Sequence, residues 1–265
     1  MNIFKREMKA NRKSLIIWCI GMIVMVFGGM AKFGALETSG ASVNELMDSL
    51  PKGLQSMFGL GIVDLSTVGG YFSILFLYLI IMATIHSSML GATIISKEER
   101  DKTAEFLFAK PVSRNKAISL KVLATLVNII ILNLVALFSS ISAVASYNKG
   151  DSINGDIIRL MIGMFILQIL FMSIGMGIAA ISKNPKISVS ISTGFLLFSY
   201  LLFILIDMNE NIEWLKYLTP FKYFEAKNIM LGSGFEMVYI ALSLFIIGLF
   251  MTLTYVFYKK RDLTV

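Results

Sequence analysis

Six long apolar runs decide the fold class before any motif is consulted. Leu15–Ala35, Tyr71–Ile95, Leu120–Tyr147, Ile157–Ile181, Ile187–Ile206 and Met237–Tyr258 are each about as long as a membrane span and mostly apolar. A hydrocarbon core about 30 Å thick is crossed by roughly 20 helical residues rising about 1.5 Å each. The runs are continuous, whereas a lipid-facing barrel strand alternates polar and apolar positions. Only 15% of residues are charged, too few to clothe a soluble surface, where about 25% is usual. The expected fold is therefore an all-α integral membrane protein with six transmembrane helices. No Pro/Gly/Ser-rich linker or convincing repeat divides the chain, so a single membrane domain over 1–265 is expected.

Charge distribution orients it. Lys and Arg cluster in Met1–Lys13, in the connection between the second and third runs, at Lys183–Lys186, and from Lys259 onward. Those segments, the second counted through Lys121, fall on one side of a six-span chain and hold 17 of its 24 basic residues, while 11 of its 17 acids lie on the other side. Cytoplasmic flanks carry such an excess, so both termini and segment 96–119 are expected in the cytoplasm. The same asymmetry accounts for the net charge of +7 without a nucleic-acid partner. Met1–Lys13 precedes an apolar run of about 20 residues, longer than the 7–15-residue core of a cleaved signal, so the run is expected to remain as the first span. Cys19 is the single cysteine, which rules out an internal disulfide framework.

The stretch before the first span and two outer connections carry more than a plain flank or connection needs. Ile3, Phe4 and Met8 interleave with Lys5, Arg6, Lys9 and Arg12, the pattern of a short amphipathic helix lying along the membrane surface. In the outer segment 36–70, Val43, Leu46, Met47, Leu50, Leu54, Met57 and Phe58 form a helical stripe, interrupted near Pro51. The outer segment 207–236 mixes aromatic and charged residues, as chain at a membrane interface does. Leu218, Pro220 and Phe221 in it are candidates for an outer gate; a packed lid without gating duty fits them equally.

Familiar catalytic chemistry is missing. The sequence contains no G-x-x-x-x-G-K-[ST] phosphate loop, no G-x-S-x-G elbow and no H-E-x-x-H, and its one His and one Cys cannot make a zinc site. Polar residues within spans are costly in lipid. His86, Asn128, Asn133 and Gln168 could line a translocation path, or tie helices together by hydrogen bonds. Asn128 and Asn133 are five residues apart and should serve different neighbours. No acid sits at mid-span depth, which argues against a proton- or sodium-coupled carrier.

Segment 96–119 reads as helix, break, helix. Glu98 and Lys102 are spaced for an i, i+4 ion pair. Ala104, Leu107 and Phe108 share an apolar face that must be covered. Pro111 disfavours helix before it, and Ser113 suits the N-cap of the third span. The run Glu98-Glu99-Arg100-Asp101-Lys102-Thr103-Ala104-Glu105-Phe106-Leu107-Phe108-Ala109-Lys110-Pro111-Val112-Ser113-Arg114 resembles the stretch after the second span of ABC type-2 exporter permeases, with Lys102 standing where that family often has Gly. The basic N-terminus resembles the family's amphipathic elbow helix, Leu218-Thr219-Pro220-Phe221 the stretch before its last span, and Lys183-Asn184-Pro185-Lys186 its second, shorter cytoplasmic contact.

The resemblance implies a coupling helix that docks on an ATP-binding-cassette ATPase subunit. It places Glu98, Glu99, Thr103, Glu105, Leu107, Pro111, Val112, Ser113 and Arg114 at or near that contact, with Asn184 and Pro185 at the second one. It implies a non-enzymatic exporter permease in a bacterial plasma membrane, paired with a second copy or a similar permease. ATP and Mg would be bound by the partner ATPase, with no cofactor in this chain. The cargo such a resemblance allows is a peptide, drug or lipid, and no residue set in the sequence chooses among them. A membrane immunity or scaffold protein binding a soluble partner, and an ATP-independent carrier, remain the alternatives.

Overall fold

The computed structural model describes residues 3–39, 64–102, 113–148, 150, 152–182, 184–230 and 234–260, and these are helical with short connections. Six helices are long and apolar enough to cross a membrane. They are α1 Ile3–Ser39, α2 Val68–Arg100, α3 Arg114–Ala145, α4 Asn154–Ile181, α5 Ser188–Met208 and α6 Met237–Lys260. Each matches an apolar run of the sequence to within two residues or extends beyond it. The stripe expected over Val43–Phe58, with its break at Pro51, lies outside the described residues.

Local chemistry sets several helix ends. The Thr67 side chain accepts a hydrogen bond from Gly70 N at 3.0 Å and starts α2. Ser113 Oγ accepts one from Lys116 N at 3.3 Å and starts α3, the N-cap expected from sequence. At its other end α2 stops at Arg100. The Asp101 N–H donates to Lys97 O at 2.8 Å and the Lys102 N–H to Glu99 O at 3.3 Å. Lys102 has φ 54°, the one positive φ of a non-glycine among the described residues.

Two findings follow at this turn. The Glu98–Lys102 pair expected along one helical face does not form, because the helix has ended before Lys102 and the Glu98 carboxylate is bonded elsewhere. The left-handed backbone also gives a physical reason for a glycine at this position, since a Cβ is penalised there. Lys102→Gly is expected to raise stability by about 0.5–1 kcal/mol, seen as a higher melting temperature in detergent. A lower one would contradict the left-handed assignment.

The helix α4 occupies the centre, packed against α2, α3, α5 and α6. Its residues Leu160, Met164, Leu167, Leu170 and Phe171 have no exposed surface. Lipid supplies no hydrophobic force between helices, so association depends on close packing and hydrogen bonds. Glycines provide the closeness where α2 crosses α4. A Cβ at Gly91 would fall 2.4 Å from Met172 O, and one at Gly175 would fall 2.5 Å from Ser88 O. The helices α1 and α6 are peripheral, with Ile17, Val24, Leu244 and Phe245 exposed on their outer sides.

The N-terminal residues depart from the surface-lying helix expected for them. They are the first turns of α1, which runs uninterrupted for 37 residues. Ile3 packs with Ala117 and Leu120, and Phe4 and Met8 pack against a cluster that includes Ile94, Ile95 and Ile118. The apolar face is thus covered by α2 and α3. The small Ala117 and Ala124, both without exposed surface, leave room for it.

Arg6 bonds Glu98, and Arg114 Nη1 donates to Lys259 O at 2.9 Å. The start of α1, the end of α2, the start of α3 and the end of α6 therefore share one face. On the opposite face, two 3₁₀ helices (Glu210–Tyr217 and Pro220–Phe224) and a single turn (Ala226–Met230) connect α5 to α6.

Candidate functional site

Five charged side chains from three helices meet at the basic face. Arg6 and Glu7 come from the second turn of α1, Lys97 and Glu98 from the last turn of α2, and Lys121 from the third turn of α3. Glu7 and Lys121 have no exposed surface and Glu98 has 2%. Arg6 Nη2 donates to Glu98 Oε1 at 2.8 Å and to Glu7 Oε1 at 2.9 Å. The second Glu7 oxygen takes Lys97 Nζ, and the second Glu98 oxygen takes Lys121 Nζ, which also donates to Ile94 O.

Each carboxylate is therefore held by two cations on different oxygens. Three cations and two anions leave one positive charge, and Arg6, whose side chain is 28% exposed, is placed to share it with solvent. Burying these ions costs several kcal/mol each, recovered only while every member is paired. The network fixes α1, α2 and α3 to one another where the chain leaves α2 after Arg100 and re-enters α3 at Arg114.

The structure sorts the residues expected at the docking contact into three groups. Glu98 is turned into the bundle and is fully engaged by Arg6 and Lys121. Glu99, Ser113 and Arg114 flank the connection, with Ser113 capping α3 and Arg114 tied to the end of α6. Thr103, Glu105, Leu107, Pro111 and Val112 lie outside the described residues.

Over nearly its whole length the sequence matches a family model. That model, described as an ABC-2 family transporter protein, covers residues 1–263. The chain belongs to the ABC-2 transporter family. Among curated proteins none matches it. This ABC-2 chain is thus a multi-pass membrane permease, a transport subunit and not itself a catalyst.

The remaining site residues of the permease fall in separate places. Asn184 and Pro185 form the turn between α4 and α5, on the same face as the ion network. The Asn184 side chain accepts from Lys186 N at 3.0 Å, and Ser188 Oγ donates to Pro185 O at 2.9 Å. Within the spans, Asn133 Nδ2 donates to Gln168 Oε1 at 3.0 Å and to Met161 O at 3.2 Å, joining α3 to α4. Asn128 Nδ2 bonds Ala124 O at 2.7 Å and reaches Met8 Sδ at 3.2 Å, joining α3 to α1. The two asparagines do serve different neighbours, and both act between helices. His86 is buried, with its ring 5.4 Å from that of Trp18.

At the opposite face, Phe221 is 3% exposed. Its ring centroid lies 5.2 Å from Phe171, 5.4 Å from Tyr200 and 6.4 Å from Phe203. Pro220 is buried beside it, whereas Leu218 is 64% exposed. The aromatic cluster is braced by ions. Lys222 Nζ bonds Asp207 and Glu225, each at 2.6 Å, and sits 5.0 Å from the centre of the Phe203 ring. Burial works against the Lys227 ammonium, but Glu225 and Asp207 outweigh it and hold its pKa above the ordinary lysine value. The Tyr223 hydroxyl donates to Tyr217 O, and burial pushes its pKa up to about 12.

Both ion clusters escaped sequence reasoning. A clue to the inner one was Lys121, an ammonium already inside the third apolar run, where lipid demands a carboxylate partner. Glu7, alone among five basic residues of Met1–Lys13, was the matching acid.

Proposed function

We propose that this permease is the membrane subunit of an ATP-binding-cassette exporter, driven by separate ATPase subunits that dock on segment 96–119 at the cytoplasmic face. The observation that carries the reading is the buried ion network at the two flanks of that segment. A displacement of the segment would be delivered at once to α1, α2 and α3, because Glu98 cannot move without Arg6 and Lys121. Family membership and the lack of a phosphate loop support an ATPase on another chain. ATP and Mg belong to that partner. The excess of basic residues on the face holding the network supports cytoplasmic termini in a bacterial plasma membrane. A second copy, or a similar permease, completes the translocation path, whose cargo would be a peptide, drug or lipid.

Structure also changes which residue tests docking. Glu98 is a strut inside the bundle, so its substitution would disturb the fold as well as any contact. Leu107, on the apolar face expected for segment 96–119, is the cleaner probe. Purified from its native membrane, the wild-type chain is expected to bring down a stoichiometric ATPase. Leu107→Asp should release that ATPase by tenfold or more, while the chain still inserts and melts as wild type. Retention of the ATPase by Leu107→Asp, or its absence from the wild-type preparation, would sink the proposal.

A further inference from the structure

At the face opposite the ion network, the end of α5, the connecting helices and the start of α6 border an open-mouthed cavity of about 400 Å³. That volume suits a small organic ligand, since ligand pockets run from about 300 to 1,000 Å³. Its charges are unequal. Three lysines, Lys216, Lys222 and Lys227, face four acids, Asp207, Glu213, Glu225 and Glu236. The lysines are already neutralised within the wall. Lys222 is held by Asp207 and Glu225, Lys227 leans on the same two acids at 3.4 and 3.5 Å, and Lys216 pairs with Glu213 at 2.8 Å.

Two acceptors are left over. Glu236 makes no ion pair among the described residues, so the wall carries one uncompensated negative charge. Tyr239 is 6% exposed and lines the cavity, its ring stacked on Tyr223 at 4.9 Å. Its hydroxyl makes no hydrogen bond among the described residues. Tyr239 thus lines the same void as the spare carboxylate with its acceptor unused.

We propose that this cavity binds a small organic ammonium ion, with Glu236 supplying the counter-charge and the Tyr239 oxygen accepting an N–H. A metal ion fits poorly, because among the described residues no three acidic or imidazole side chains converge closely enough to hold one. The acceptors are dispersed around a space several times the roughly 30 Å³ share of a water molecule. An ammonium carried on an organic body matches both the charge and the volume. Its source is either a soluble amine or the headgroup of an aminolipid in the adjoining leaflet. The site does not depend on the exporter reading and can fail or stand separately from it.

The test uses the full chain in nonionic detergent, titrated calorimetrically with n-butylammonium. One saturable site per chain is expected. Glu236→Gln, at an exposed position, should weaken binding about ten- to a hundredfold, as removal of a charged hydrogen-bond partner does. Tyr239→Phe keeps the ring stack and should weaken binding about fivefold. Asp156→Asn, at an acid that does not line the cavity, should leave it unchanged. Competition by added phosphatidylethanolamine would assign the site to a lipid headgroup, and lack of competition to a soluble amine. No saturable binding, wild-type affinity in both site variants, or equal weakening by Asp156→Asn would each overturn the proposal.

Discussion

Glu98→Gln is expected to destabilise the bundle by about 3–5 kcal/mol, the usual penalty for removing one partner of a buried ion pair. The substitution leaves Lys121, which has no exposed surface, without its bonded carboxylate, and leaves Arg6 only Glu7. Lys121→Met should cost less. It fills a similar volume with an apolar chain, and Glu98 keeps Arg6 at 2.8 Å. The double variant decides whether the pair is coupled. It removes both buried charges together and should be more stable than Glu98→Gln alone, with a coupling of about 1–3 kcal/mol. Melting of the four proteins in detergent checks this. Strictly additive effects would show that the two groups do not share a bond in the folded protein.

Gly91→Leu should be more damaging still. The obstruction at Gly91 is the Met172 carbonyl oxygen, 2.4 Å from where a Cβ would stand. A backbone atom in the middle of α4 cannot step aside as a side-chain tip can, so α2 and α4 would have to separate along their main contact. Overpacking in a core usually costs about 1–3 kcal/mol. Here the cost should exceed that range, and the expected result is aggregated or proteolysed protein. Gly28 and Gly194 are matched controls, since a Cβ at either meets nothing within 4 Å. Alanine there should be neutral or gain about 0.5–1 kcal/mol from helix propensity. Monodisperse, wild-type-like Gly91→Leu would refute the backbone contact.

The spans were legible because a single quantity, uninterrupted apolar length, dominates the partition of a helix into lipid. What each helix turns toward its neighbours was not, because that choice is made by partners distant in the chain. Glu98 illustrates the difference. Local spacing favours Lys102, yet Lys121, 23 residues on, is the partner, because its buried ammonium needs a bonded counter-charge and the packing of α3 on α2 sets it beside Glu98. The N-terminal amphipathic phase was correctly read, but periodicity cannot tell a lipid surface from the alanine-lined flank of α3. Ser113 could be read as a cap because capping is a property of three adjacent residues. At the other face, the Lys222–Glu225 spacing was visible, whereas Asp207 enters that cluster only through the packing of α5 against the loop.

The length of α1 has a mechanical meaning. Its 37 residues extend about 55 Å, well beyond a hydrocarbon core of about 30 Å. The excess lies largely at its charged end, before Ser14, where the ends of α2 and α3 are bound to it. The basic end of α1 is thus cross-braced to the end of α2 and the start of α3 by Arg6, Glu98 and Lys121. A load placed there would be shared by three helices at once, and α6, attached through Arg114, would be drawn along with them.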